Sequence, residues 1–109
     1  MTTISLERWS AMPLEKRLLN VASEITRAKN LAAEDAGLAR QSVERALDLV
    51  DLTVESVRGQ SPVYFMRELL RLREILAGEH ERPDRAVLES VLRGLLDLNP
   101  ETHNLGLEI

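Results

Sequence analysis

The chain of 109 residues contains no cysteine. Disulfides are excluded, and no thiolate is present to hold a metal or attack a substrate. Histidine is nearly as scarce, at positions 80 and 103 only. A zinc site draws most of its ligands from Cys and His. Carboxylate-bridged bundles need a Glu-x-x-His pair on each of two helices, and this sequence has none. No metal and no cofactor is expected. Glycine occurs five times and always singly, at 37, 59, 78, 94 and 106, so no Gly-rich phosphate loop and no G-x-S-x-G nucleophile elbow can be drawn. Aromatic side chains are limited to Trp9, Tyr64 and Phe65, too few for base-stacking platforms. No stretch approaches the roughly 18 uninterrupted apolar residues that cross a bilayer. Residues 1–13 hold no apolar signal core, since Glu7 and Arg8 interrupt the place where one would lie. The expectation is a cytoplasmic protein without membrane contact. Fourteen basic residues stand against 18 acidic ones, a net charge of −4, which argues against a general electrostatic grip on nucleic acid.

What is present is helical periodicity. Apolar residues recur three and four apart, and Gly and Pro fall mostly between the periodic stretches. Residues 4–11 can form a short helix or turn carrying Ile4, Leu6 and Trp9. Pro13 suits the first turn of a helix, where its missing N–H costs nothing. From it runs a stripe of Leu14, Leu18, Val21, Ala22, Ile25, Ala28 and Ala32. Gly37 reads as the next break, followed by a helix from about Leu38 to Arg58 with Val43, Ala46, Leu47, Val50, Val54 and Val57 on one face. Gly59, Ser61 and Pro62 punctuate again, Ser61 as N-cap and Pro62 at the first helical position. The third long helix carries Phe65, Met66, Leu69, Leu70, Leu72, Ile75 and Leu76 and ends near Gly78. Pro83 opens the fourth, with Val87, Leu88, Val91, Leu92, Leu95 and Leu96, ending before Asn99. Gly94 lies inside it, where glycine is a poor helix former. The expected fold is all-α: one domain, a four-helix up-down bundle over residues 13–98, with an N-terminal extension over 1–12 (a short helix or turn) and an irregular tail over 99–109.

The candidate functional features are charges and surplus apolar residues. Glu24 and Arg27, then Glu44, Arg45 and Asp48, then Arg67, Glu68, Arg71 and Glu74 lie beside the apolar stripes. They can line a polar cleft for an anionic ligand, or form a solvated face laced by i,i+3 pairs such as Glu24–Arg27, Arg45–Asp48 and Glu68–Arg71. The aromatics can rim a binding site or anchor the core. In the tail, Leu105, Leu107 and Ile109 alternate with Gly106 and Glu108, a pattern open to strand-like docking on a neighbouring subunit or to fraying. Leu49, Leu52, Leu70 and Leu72 exceed what one bundle core needs and are the candidate interface residues. They predict a homo-oligomer, a dimer in the simplest case, or a protein partner.

Two resemblances bear on function. Arg73 and His80 stand as R-x6-H at the end of the third long helix, which resembles the R-x4-6-H motif of the HEPN family of small helical bundles. That resemblance implies a metal-independent ribonuclease, or a partner of a nucleotidyltransferase, with Arg73 stabilising phosphate and His80 as acid/base across a dimer interface. The stretches SEITRAKN (23–30), ERALDLVDLTVE (44–55) and RELLRLREILA (67–77) resemble those of small bacterial helical proteins that carry no assigned activity. The principal expectation is a non-catalytic bundle that self-associates or docks on another protein, with the HEPN-like activity as its alternative.

Overall fold

The computed structural model describes residues 4–98, which form five α-helices and, among the described residues, no strand. The first, α1 (Leu6–Ala11), is capped by Ser5, whose hydroxyl accepts from the Arg8 amide at 3.2 Å. It stops because Pro13 holds the preceding Met12 in extended backbone. The carbonyl of Pro13 accepts from the amides of Lys16 and Arg17 and so starts α2 (Leu14–Leu31). Helix α3 (Ala36–Val57) is capped by Asp35, whose carboxylate accepts from the Leu38 amide at 3.1 Å. Gly37 therefore lies inside the first turn of α3, and the break expected there falls earlier, at residues 32–35. Past the end of α3, Gly59 adopts φ of +78°, the left-handed conformation that ends many helices and that a Cβ would strain.

Helix α4 (Val63–Ala77) begins one residue later than expected. Pro62 is the capping residue, its carbonyl accepting from the amides of Phe65 and Met66, and Ser61 lies outside. Helix α5 (Arg85–Leu98) opens on Asp84, not Pro83: the Asp84 carboxylate accepts from the amides of Ala86 at 2.9 Å and Val87 at 3.1 Å. A carboxylate there also meets the positive end of the helix dipole.

The four long helices close a ring of contacts. Helix α2 packs on α3 and α5, and α4 packs on the same two. The smallest dimension of the molecule, 21 Å, is two helix diameters. The core fills the inside of this ring with Leu18, Val21 and Ile25 from α2, Val43, Ala46 and Val50 from α3, Leu69, Leu72 and Leu76 from α4, and Leu88, Val91 and Leu95 from α5. Gly94 has a packing reason for its place in α5. A Cβ built on it would stand 2.9 Å from Cδ2 of Leu72, so its bareness lets the Leu72 side chain press against the α5 backbone.

Helix α1, six residues long, is too short to hold itself. It is pinned to α3 by Trp9, 2% exposed, whose indole N–H donates to the Thr53 hydroxyl at 2.9 Å. That hydroxyl donates in turn to the Leu49 carbonyl at 2.7 Å. Arg17 locks the same end: its Nε donates to the Met12 carbonyl at 2.9 Å and its Nη1 to the Ser56 hydroxyl. Burial lowers the pKa of this guanidinium, with Glu15 opposing the shift. It keeps its charge nonetheless, because arginine titrates so far above neutrality.

Candidate functional site

Helices α3 and α4 run antiparallel, and the register of two side-chain pairs shows it. Asp51 meets Arg73 and Glu44 meets His80, so a descent of seven residues along one element matches an equal ascent along the other. The Arg73–Asp51 pair is bidentate, with Nε to Oδ1 at 2.6 Å and Nη2 to Oδ2 at 3.2 Å. The hydrogen bonds that Arg73 donates to Asp51 raise its pKa. The His80 Nε2 lies 2.7 Å from Oε2 of Glu44, and this hydrogen bond holds the Glu44 carboxyl below its ordinary value. Half-buried Asp48 and Ala77 line the same space as the two pairs. The result is a groove of about 570 Å³ that contains both residues of the R-x6-H spacing.

Three carboxylates (Glu44, Asp48 and Asp51) line this groove beside one guanidinium and one imidazole. Chemically, both groups able to engage a phosphate are already committed to carboxylates. The field of the α3 side is negative, which opposes the approach of a polyanion. No group of three or more His, Cys, Asp or Glu able to hold a metal ion occurs among the described residues. No helix among them is long and apolar enough to cross a membrane.

No family model, curated protein or solved structure matches this chain.

A second groove, larger at about 960 Å³, follows α2 beside α5 and is lined by Leu19, Ala22, Thr26, Leu31, Leu92 and Leu96. Its polar edge includes Arg27, which is occupied by Glu24 at 3.1 Å.

The four candidate interface leucines separate into three environments. Leu72 is 4% exposed and seated against Gly94, so it belongs to the core and offers nothing to a partner. Leu49 and Leu52 are half-buried and pack against that core. Of the four, only Leu70 is exposed, at 44%. Helical geometry explains the contrast: with 3.6 residues per turn, Phe65, Leu69, Leu72 and Leu76 share one side of α4, and Leu70 falls on the other. The aromatics divide in the same way. Trp9 and Phe65 are core residues, whereas Tyr64 is 70% exposed beside Val63 at 71%.

Of the expected i,i+3 pairs, Glu24–Arg27 and Glu68–Arg71 form. Arg45–Asp48 does not: Arg45 reaches across to Glu24 of α2 at 3.2 Å and donates to Ser42. The Trp9–Thr53 bond, the Arg17 lock and the Lys29–Glu89 contact at 3.8 Å were not anticipated. For Trp9 and Arg17 a signal was available, since an apolar residue before Pro13 and a cation on an apolar stripe each demand a partner. Residues 99–109, with Leu105, Leu107 and Ile109, lie outside the described residues.

Proposed function

We propose that this chain is a non-catalytic interaction module of the cytoplasm, a four-helix up-down bundle of α2–α5 strapped at one end by α1, and that the outward side of α4 is its contact surface. The observation that carries this reading is the exposure of Val63, Tyr64 and Leu70 on a helix whose other side is wholly committed to the core. Large apolar residues left together in water raise the free energy of the isolated chain, and covering them recovers roughly 25 cal/mol for each Å² removed from solvent. Supporting it, Arg73 and His80 are tied to carboxylates and not poised over an open site.

The test is sedimentation equilibrium across concentration, for the wild type and for Leu70→Glu. Leu70 is exposed enough to accept the change without loss of fold, which circular dichroism would check. A glutamate at Leu49 or Leu52 would disturb core packing and so could not isolate an interface effect. The expected result is an average mass that rises with concentration in the wild type and stays at the monomer in Leu70→Glu. Equal association by a folded Leu70→Glu variant would reject α4 as the surface.

A second reading, the HEPN-like ribonuclease, draws on the single observation that Arg73 and His80 line one groove. It requires RNA cleavage that is lost in His80→Ala while the fold is retained. Absence of cleavage by the wild-type chain, or equal cleavage by the variant, would reject it.

A further inference from the structure

The side of α4 opposite the core is a stripe of Val63, Arg67, Leu70 and Glu74, spaced four, three and four residues apart. All four are exposed, Val63 at 71% and Leu70 at 44%. Arg67 and Glu74 make no ion pair or hydrogen bond among the described residues, although Glu74 contributes to the field at its neighbour Arg73. The charges on the flanks differ in this respect: Arg71 is held by Glu68, and Arg73 by Asp51. The stripe thus presents a free cation one turn before an exposed leucine and a free anion one turn after it.

That arrangement is self-complementary in one orientation only. If two copies of α4 lie antiparallel across a two-fold axis close to Leu70, Arg67 of each faces Glu74 of the other, and both leucines are covered between the pairs. A parallel pairing would set Arg67 against Arg67 and Glu74 against Glu74. Building on the reading of α4 as the contact surface, we infer that its occupant is a second copy of this chain, docked antiparallel with two reciprocal Arg67–Glu74 ion pairs. An isologous contact of this kind closes on itself and yields a dimer and not a filament. A helix of 15 residues offers a seam roughly 22 Å long and about 10 Å wide, on the order of 220 Å², well short of the area of about 800 Å² per partner in a stable interface. The dimer is accordingly weak, with a dissociation constant between about 10 µM and 1 mM, and weaker still at high salt because its charges are exposed.

The experiment is sedimentation equilibrium from about 10 µM to 1 mM, the range set by that weak affinity. It uses full chains of wild type, R67E, E74R, an equimolar mixture of the two variants, and L70E, each checked for fold by circular dichroism. In R67E and in E74R both attractive pairs become repulsive, so each alone dissociates at least about tenfold more readily than the wild type. In the mixture, the carboxylate introduced by R67E faces the guanidinium introduced by E74R. On the other side of the axis the native Glu74 of the first variant faces the native Arg67 of the second. Both pairs are attractive again, and dimer returns at wild-type strength. Loss in the single variants with recovery in the mixture establishes the antiparallel dimer. Loss in L70E, with charge variants that associate as the wild type does or do not recover when mixed, overturns the antiparallel register and leaves α4 as the contact surface. Undiminished dimer in all variants, L70E included, overturns both. A wild type that is monomeric at the top of the range overturns the second copy as occupant, and the contact surface must then serve a different protein.

Discussion

Replacing Thr53 by valine should uncouple α1 from the rest of the molecule. The change keeps the shape of the side chain and its β-branch but removes the oxygen that accepts from the Trp9 indole at 2.9 Å. Trp9 is 2% exposed and Thr53 fully buried, so no water can replace the lost acceptor without moving the ring. An orphaned buried donor costs about 1–3 kcal/mol. The Leu49 carbonyl, which also loses the Thr53 hydroxyl, is inside a helix and keeps its backbone partner, so it adds little. For a domain of this size the loss corresponds to a melting temperature lower by roughly 4–8 °C per kcal/mol. Trp9 is the sole tryptophan, so fluorescence reports on α1 while circular dichroism reports on the long helices. In Thr53→Val the red shift of tryptophan emission should precede the loss of helix on denaturant titration. Thr53→Ser retains the acceptor and should lose only about 0.8 kcal/mol for its missing methyl. In a Trp9→Phe background, where no donor remains to be orphaned, Thr53→Val should become nearly neutral. A Thr53→Val stability within about 0.5 kcal/mol of wild type, with the two transitions coincident, would refute the argument that this bond holds α1 in place.

Gly94→Ala sets two opposed effects against each other. Alanine gains about 1 kcal/mol of helix propensity, but its Cβ lands 2.9 Å from the buried Leu72 side chain, and overpacking costs about 1–3 kcal/mol. A net loss of about 1 kcal/mol is expected by urea denaturation, turning to a gain in a Leu72→Val background, where the clashing Cδ atoms are gone. For the Glu44–His80 pair the pH dependence has a definite sign. Its hydrogen bond lowers the Glu44 pKa from the ordinary 4.5, so the stabilisation is complete above that value and lost as pH falls through the depressed one. Denaturation at stepped pH should show the wild-type advantage over Glu44→Gln shrinking below pH 4.5. An advantage that stays constant down to about pH 3 would contradict it.

The helices themselves, and the side of each that is buried, were legible before any folding was considered. Apolar spacing placed α2 to α5 to within about two residues at nearly every end, because helix periodicity and the backbone restrictions of proline are local properties of the chain. Where the boundaries differ from the break expected at Gly37 and the start expected at Pro83, the cause is also local: Asp35 and Asp84 cap the two helices. The spacing even separates Leu72 from Leu70, since they stand on different sides of one helix. What stands opposite each side emerged only from the packed molecule. That Arg45 binds Glu24 and not Asp48, that Arg73 and His80 share a groove with three carboxylates of α3, and that Gly94 makes room for Leu72 all depend on the register between helices. Periodicity fixes an angle about a helix's own axis. It carries no information on which neighbour is met at that angle, or at what height, because those follow from packing the whole core at once.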